Sequence, residues 1–243
     1  MEPSEWHAFI ERSRDKWREV PGDRQERVFS RDLLSWDDEA LLAYWERGRV
    51  ETSIPDVRGW FQDLYRDRLS GLDVADVGPG LGMDGIFFAS HGARVLFADI
   101  VADNIRLLER LCALKRVRAE FHTVDDVFDV RLPHEVDVLL FVGSLHHAPF
   151  AISQREAAAF ARWLRPGGLA LMLAYPKERY DAMGVRSFEE FGRLCDGERT
   201  PWAEWYDDDK VRALFGPDFT LNWSRNFGRD AMEFNWFELA RRR

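Results

Sequence analysis

A glycine-rich run, with an acidic residue some way after it, is the part of this sequence best suited to binding a ligand. Gly78, Gly80 and Gly82 follow a short apolar stretch that contains Asp76, and a helix-like segment follows them. Glycine tolerates positive φ and carries no Cβ, so such a turn lets the backbone approach a nucleotide-like ligand closely. Asp99 ends the next apolar stretch, about 20 residues further on, where nucleotide-binding α/β folds place a carboxylate for the ribose hydroxyls. This pattern predicts a nucleotide-like ligand.

Two adjacent histidines, His146 and His147, form a second candidate centre. They follow the apolar stretch 136–142, which is typical of a buried strand, and ligands of open α/β sheets bind at the carboxyl ends of the strands. An imidazole titrates near neutral pH, so either ring could take a proton from a hydroxyl or an ammonium group. Alternatively, one ring only bonds a backbone carbonyl and fixes the loop. The sequence leaves open which histidine is the base, if either is.

Composition limits the classes of protein to consider. The net charge of −9 provides no basic surface for nucleic acid. Cys112 and Cys195 form neither a disulfide framework nor a paired metal motif, so we predict no metal site and a reducing compartment. The acidic start of the chain lacks the apolar region of a secretory leader, and no apolar run approaches the length of a membrane span. We therefore expect a cytoplasmic protein that binds neither nucleic acid nor membrane, with a homodimer left open.

From residue 72 onwards, strand-like and helix-like patterns alternate, which predicts a largely parallel sheet with helices on both faces. Arg165–Gly168 is expected to be a tight turn before the fifth strand. From Phe219 to Leu239, apolar and polar residues alternate on either side of Gly228–Asp230, as in an antiparallel hairpin. The predicted strands are Val74–Val77, Arg94–Ala98, Ala119–Val124, Val136–Val142 and Leu169–Tyr175, and the predicted helices between them are Met83–His91, Ala102–Leu114 and Ser153–Leu164.

The segments on either side of this alternating region are predicted to be mainly helical. Before the glycine run, the apolar residues follow helical periodicity. One helix, Ala40–Trp45, would begin after the acidic residues 37–39 and end at Gly48. After the fifth strand, residues 176–217 read as an insertion with short helices, Ser187–Leu194 and Asp208–Phe215.

From residue 72 to the C-terminus, the chain resembles a class I S-adenosylmethionine (SAM)-dependent methyltransferase. Four motifs carry the resemblance: DVGPGLG over 76–82, Asp99, VGSLHHAP over 142–149 and LRPGG over 164–168. The resemblance implies an α/β fold: a Rossmann-like seven-stranded methyltransferase sheet with helices on both faces, an N-terminal helical cap and a C-terminal antiparallel hairpin. Residues 1–70 would then be the cap, or substrate lid. Residues 71–243 would be the SAM-binding methyltransferase domain, with the 176–217 insertion contributing to the acceptor site.

The resemblance also implies roles for single residues. Asp76 would anchor the amino group of SAM, and Asp99 would hold both ribose hydroxyls. Asp125 would contact the adenine, although Asp126 fits the same motif in the neighbouring register. The residues expected to bind SAM, or the product S-adenosyl-L-homocysteine (SAH), are Asp76, Gly78, Gly80, Gly82, Asp99, Ile100, Asp125, Asp126 and Gly143. The residues expected to bind the acceptor are Tyr175, Lys177, Arg179 and Trp205, beside the candidate bases His146 and His147.

The predicted reaction is methyl transfer to oxygen or nitrogen of a small-molecule acceptor, such as a sugar, a glycan precursor or a specialised metabolite. Methylation of carbon is left open. The alternatives are an RNA or protein methyltransferase and a non-catalytic SAM-binding partner subunit. Gly80 to Gly85 also fits the G-x-G-x-x-G pattern of NAD-binding folds. The preceding helical segment, and the absence of a second nucleotide-binding half after the fifth strand, disfavour NAD.

Overall fold

The computed structural model of the protein describes residues 3–21, 27–229 and 232–243. The chain forms two compact units, one with the residues up to Lys16 together with Asp126–Arg243, the other running from Trp17 to Asp125. The predicted division into a cap over 1–70 and a domain over 71–243 stays a prediction. None of the described helices is long and apolar enough to cross a membrane.

The elements of the described residues are named in chain order. They are α1 (Pro3–Lys16), β1 (Glu19–Pro21), β2 (Arg27–Phe29), α2 (Ser30–Leu33), α3 (Asp38–Thr52), a π-helical turn (Pro55–Gly59), α4 (Trp60–Tyr65), β3 (Asp73–Val77), α5 (Met83–Ser90), β4 (Arg94–Asp99), α6 (Ala102–Lys115), β5 (Glu120–Thr123), β6 (Val136–Val142), α7 (Phe150–Ala161), β7 (Leu164–Ala174), α8 (Lys177–Met183), α9 (Phe188–Asp196), α10 (Asp208–Phe215), β8 (Phe219–Arg229) and β9 (Met232–Arg241).

The Trp17–Asp125 unit is built on three parallel strands in the order β5-β4-β3. The residues of β3 and β4 are mostly apolar and almost continuously buried, as expected for parallel strands covered on both faces, whereas those of the edge strand β5 are only partly buried or exposed. Helix α6 is amphipathic, and Leu107, Leu108 and Leu111 on its inner face are fully buried. This arrangement ends β3 at the glycine-rich turn and β4 at Asp99.

The other unit contains β6-β7-β9-β8 in that order. Strand β6 is parallel to β7, and β7 and β8 are both antiparallel to β9. Its strands bury large apolar side chains such as Phe141, Met172, Trp236 and Phe237. The parallel strands and the antiparallel β8–β9 pair confirm the predicted α/β fold class. Asp230, which belongs to the predicted hairpin turn, lies outside the described residues.

Most predicted elements are present with small shifts, and α10 has the predicted bounds. Strand β7 begins at Leu164, because Leu164 pairs with Val136 and the register then jumps so that Leu169 pairs with Val138. The predicted turn at 165–168 is therefore an irregularity within the strand. Helix α7 lies three residues earlier than predicted, beginning directly after Pro149. Helix α8 and the β1–β2 pair were not predicted.

The prediction that Gly48 ends its helix is wrong. Asp37 caps the helix, since its side chain accepts a hydrogen bond from the backbone N–H of Ala40 at 2.8 Å. The helix then continues through Gly48 to Thr52. A Cβ on Gly48 would lie 2.6 Å from Cε of Met83, so the glycine permits a close approach to the start of α5. Here glycine serves packing between helices rather than termination.

Candidate active site

The glycine-rich turn between β3 and α5 has the conformation that its sequence predicts. Gly78, Gly80 and Gly82 all have φ between 56° and 65°, a region that residues with a Cβ rarely adopt. The backbone N–H of Gly78 donates to the carbonyl of Ala98 at 2.8 Å, which ties the turn to β4. The three glycines therefore shape a turn at the carboxyl end of a parallel strand.

Two glycines of this region are also required by packing. A Cβ on Gly82 would lie 2.5 Å from Cδ2 of Leu108. A Cβ on Gly85 would lie 2.4 Å from Cε1 of Phe97 and 2.5 Å from Oδ2 of Asp76. Gly85 thus brings α5 close to the strands, which is the part played by the third glycine of a dinucleotide-binding pattern. The local geometry explains why the sequence also matched that pattern.

Asp76 is a buried carboxylate with a charged neighbour that the sequence analysis missed. It is 2% exposed, and burial together with the nearby Asp84 raises its pKa well above the usual range. Asp84 itself accepts hydrogen bonds from Arg58 at 2.9 Å and from Gln62 at 2.8 Å. The Gly85 backbone N–H and the Arg58 charge partly oppose the rise in the pKa of Asp76. Arg58 and Gln62 lie 26 and 22 positions before Asp84, so no local motif shows that these side chains meet.

The N-terminal helices of this unit also brace the glycine-rich turn. Trp45 on α3 is buried and donates its Nε1–H to the carbonyl of Leu81 at 2.9 Å. This hydrogen bond fixes the turn between Gly80 and Gly82 from outside the strand–turn–helix motif. A buried indole N–H needs a partner, and the turn provides it.

Asp99, at the end of β4, offers a carboxylate that is held in place by its own loop. Its Oδ1 accepts the backbone N–H of Val101 at 2.8 Å, and its Oδ2 accepts the side-chain amide of Asn104 at 3.2 Å. Asn104 also donates to the carbonyl of Trp17 at 3.0 Å, so the amide is held from two sides. Burial raises the pKa of Asp99 to about 6, against the lowering effect of these hydrogen bonds. The backbone N–H of Ile100 contributes a third hydrogen bond, which leaves one of the four lone-pair sites of the carboxylate for a further donor.

The two candidate adenine-contacting acids differ in their local structure. Asp125 and Asp126 are both exposed. Asp126 accepts the backbone N–H of Phe128 at 2.8 Å, so its side chain stabilises its own turn. The preference for Asp125 over Asp126 as the adenine contact remains a prediction.

Gly143, at the end of β6, is left-handed with φ 74°, and its backbone N–H donates to the carbonyl of Leu173 at 3.3 Å. Nothing lies within 4 Å of the position that a Cβ would take. The glycine is therefore required by backbone conformation, and the space beside it is open. The hydroxyl of the next residue, Ser144, has no hydrogen-bond partner within the described part of the chain.

The predicted histidine pair forms a buried cluster with Tyr175 and an acid that the sequence analysis did not single out. Oδ2 of Asp196 accepts hydrogen bonds from His147 Nε2 at 3.0 Å and from the Tyr175 hydroxyl at 2.9 Å. The ring of His146 lies 4.1 Å from that of His147 and 4.6 Å from that of Tyr175, centroid to centroid. We name these four residues the His–Tyr–Asp cluster. With Nε2–H donating to the carboxylate, Nδ1 is the acceptor nitrogen of a neutral His147 ring.

The cluster is anchored by two buried cations. Lys16, at the end of α1, donates its ammonium to the backbone carbonyl of Asp196 at 2.9 Å and is 1% exposed. The guanidinium of Arg179 lies 4.4 Å from the ring centroid of Tyr175. Lys16 lies 180 positions before Asp196, so this contact is a product of the fold, whereas Arg179 follows Tyr175 by only four positions.

His146 differs from its neighbour in having no hydrogen-bond partner of normal geometry for either ring nitrogen within the described residues. Burial, His147 and Arg179 lower the pKa of His146 well below its usual value. Asp196 and the Leu173 carbonyl oppose the shift without reversing it. His146 is therefore an uncharged ring, and the one of its two nitrogens that carries no hydrogen can accept a proton.

The four residues predicted to bind the acceptor lie in one neighbourhood. Tyr175 pairs with Trp205 in a short parallel bridge, and Arg179 stacks on Tyr175. Lys177 is exposed, ion-paired with Asp181, and its ammonium lies 5.7 Å from the Trp205 ring. Arg179 is buried, unlike a surface charge. No group of three or more metal-ligating side chains occurs among the residues that the structure describes.

Comparison with known proteins identifies the class. Residues 74–168 match the profile of the family described as "Methyltransferase domain". A magnesium protoporphyrin IX methyltransferase from Synechocystis PCC 6803, solved with bound SAH, is 18% identical, with a TM-score of 0.61 over 87% of this chain and 92% of that one. A 1,6-didemethyltoxoflavin N1-methyltransferase from Burkholderia thailandensis is 17% identical, with a TM-score of 0.59 over 92% and 95%. At these identities the structural likeness establishes the fold.

A curated relative is protein arginine N-methyltransferase PRMT10 of Arabidopsis thaliana, 27% identical over 177 residues. The match covers 65% of this chain and 42% of the relative, so the chain spans less than half the length of that protein. Taken together, the matched domain and the fold confirm the predicted class, a class I SAM-dependent methyltransferase. SAM is the methyl donor of that class.

Proposed function

We propose that this protein transfers the methyl group of SAM to oxygen or nitrogen of a small-molecule acceptor. The observation that carries the proposal is the left-handed glycine turn after β3, next along the sheet to the anchored carboxylate of Asp99 at the end of β4, within the residues that match a methyltransferase domain. A turn without Cβ atoms and a carboxylate with a spare lone pair are the chemistry that an amino-acid tail and a ribose diol require.

The residues present fit the donor. Asp99, with Ile100 beside it, would accept the ribose hydroxyls, and Asp76 would serve the amino group. Asp125 or Asp126 would contact the adenine, and Gly143 leaves open space next to its backbone. When bound, SAM supplies an activated methyl group on a sulfonium. The protein's own task is to orient the acceptor, exclude water and remove a proton where the acceptor needs it.

We assign the general base to the histidine pair, with His146 as the first choice. Its ring is uncharged at neutral pH, and its nitrogens are not engaged by other side chains of the described structure. His147 is oriented by Asp196, which makes Asp196 a positioning residue for the pair. Tyr175, Arg179, Lys177 and Trp205 would line the acceptor side, together with the 176–217 insertion.

A second candidate, methylation of a protein arginine, is favoured by one observation, the 27% identity to the plant protein arginine methyltransferase. A guanidinium acceptor calls for ionised carboxylates that can bind it in pairs. The buried carboxylate of the His–Tyr–Asp cluster already has partners, because Asp196 accepts hydrogen bonds from His147 and Tyr175. This occupancy favours the small-molecule acceptor, which remains the leading proposal.

We also propose that the enzyme is cytoplasmic and acts without nucleic acid or membrane. Whether it forms a homodimer is left to measurement.

Transfer of labelled methyl groups from SAM to a panel of acceptors tests the function. The panel contains hydroxylated and amino sugars, aromatic and aliphatic amines, and an arginine-rich peptide. With an accepted substrate, we expect His146→Gln to lower kcat by about 10²–10⁴-fold while the Kd for SAH is unchanged. His91→Gln is the matched control, since His91 is exposed directly after the end of α5. Transfer to the peptide alone would replace the leading proposal with the second candidate.

A further inference from the structure

A lysine ammonium near the predicted acceptor-binding residues is surrounded by aromatic rings. Nζ of Lys210, in the first turn of α10, lies 4.2 Å from the ring centroid of Trp205, and 5.1 Å from those of Phe188 and Tyr206. The ring of Phe150 is 5.9 Å away. We name the four rings the aromatic cage. Rings within about 6 Å of a cation attract it through their negative faces, so this geometry selects for positive charge.

The cage also contains a counter-ion. Glu204 is 5% exposed, and its Oε1 accepts the ammonium of Lys210 at 2.7 Å. The indole N–H of Trp202 donates to Oε2 at 3.2 Å and so fixes the carboxylate from the other side. The Lys210 side chain is 17% exposed, so solvent reaches part of it. A buried carboxylate and several aromatic rings around a partly exposed cation are the parts of a cation-binding site.

Main-chain hydrogen bonds join the aromatic cage to the His–Tyr–Asp cluster. The backbone N–H of Glu204 donates to the carbonyl of His146 at 2.9 Å, and that of Tyr206 donates to the carbonyl of Tyr175 at 2.8 Å. Trp205, between them, forms the bridge with Tyr175. The cage therefore adjoins the residues that we propose act on the acceptor.

We propose that the aromatic cage is the subsite for the ammonium group of an amine-bearing acceptor, and that Lys210 occupies it until the acceptor binds. This rests on the proposed function and narrows its substrate class to organic cations. A lysine ammonium is a compact, strongly hydrated charge on a flexible stem, so Lys210 gains hydration when it leaves the cage. A methylated ammonium is hydrated more weakly and gains more from the rings, so it displaces the lysine. Glu204 is neutralised in both states.

Binding of tetramethylammonium tests the proposal without any methyl transfer. The probe is titrated into SAH-loaded wild type and into Lys210→Ala, with saturation-transfer NMR as the readout. We expect Lys210→Ala to bind tetramethylammonium at least about tenfold more tightly than the wild type. Lys210→Met, which refills the cage with an uncharged chain, should bind it less tightly than Lys210→Ala. Choline and its neutral carbon isostere, 3,3-dimethyl-1-butanol, form the matched probe pair, and only choline should bind.

Three results would overturn the proposal. Choline and its isostere could bind equally, or Lys210→Ala could bind tetramethylammonium no more tightly than the wild type. The third is that Lys210→Ala/Trp205→Ala binds tetramethylammonium as tightly as Lys210→Ala. If Lys210→Ala does not fold, the wild type alone decides. Saturable, charge-selective binding supports the proposal, and its absence up to about 0.1 M contradicts it. The SAH titration separates the two levels of inference, because intact SAH binding without cation binding rejects the cage and leaves the methyltransferase proposal standing.

Discussion

Replacing Asp196 should destabilise the protein by removing one oxygen that two buried side chains share. His147 and Tyr175 both donate to Oδ2, at 3.0 and 2.9 Å, and both are less than 10% exposed. The two substitutions to compare are Asp196→Ala, which removes the acceptor, and Asp196→Asn, which keeps a neutral carbonyl oxygen in its place.

The expected magnitudes follow from these contacts. A hydrogen bond to a charged group contributes about 1.5–3 kcal/mol, and a buried donor left unpaired costs about 1–3 kcal/mol. Part of this loss of stability is offset, because the variants no longer bury the charged carboxylate of Asp196. We therefore expect Asp196→Ala to lower the free energy of unfolding by about 3 kcal/mol, and Asp196→Asn to lower it by about 1 kcal/mol because both hydrogen bonds can persist.

Urea unfolding followed by circular dichroism measures both values, with the slope against urea concentration compared among the three proteins. Asp181→Ala is the control, since Asp181 forms only a partly exposed pair with Lys177. The reasoning is refuted if Asp196→Ala unfolds within about 0.5 kcal/mol of the wild type, or if Asp196→Asn is the more damaging change.

Three further predictions concern Gly85 on α5, Gly143 at the end of β6 and the carboxylate of Asp99. Gly85→Ala should destabilise the protein by about 1–3 kcal/mol through overpacking against Phe97. Gly143→Ala should lower the free energy of unfolding by about 1–2 kcal/mol, because the new Cβ meets open space and only the positive φ is unfavourable. Urea unfolding measures both values. A clearly larger loss in Gly143→Ala than in Gly85→Ala would contradict both contact arguments. The affinity for SAH should fall towards tenfold per pH unit below about pH 6, because protonation of Asp99 removes the charge that accepts the ribose hydroxyls. Calorimetry between pH 5 and 8 should show this slope in wild type and a flatter one in Asp99→Asn.

The sequence was sufficient where a local pattern determines a local structure. The acidic residues 37–39 mark the start of α3 as predicted, because the side chain of Asp37 bonds the helix that immediately follows. The alternating strands and helices likewise predicted the fold class. Gly48 shows the limit of this reasoning: the glycine reads as a helix end, but its cause is Met83, 35 positions later.

Some residues of the candidate site belong to a local sequence motif, and others are brought together only by the fold. The glycines and Asp99 follow consecutive strands, so their motif was visible. Asp196 was not, because it lies 49 residues from His147 and 21 from Tyr175 and has no motif of its own. Of the aromatic cage, the sequence analysis singled out only Trp205. The cage forms because α10 places Lys210, and α9 places Phe188, close to Trp205.

Calorimetric titration with SAH, in the wild type and in Asp99→Ala, tests the central claim most directly. We expect binding with a Kd of about micromolar in the wild type and a loss of at least about 10²-fold in Asp99→Ala, since the carboxylate would accept a charge-assisted hydrogen bond from the ribose. Asp67→Ala, a change at an exposed carboxylate of the same unit, should bind as the wild type does. Undetectable binding of both SAM and SAH to the folded wild type, or equal affinity in Asp99→Ala, would contradict the account.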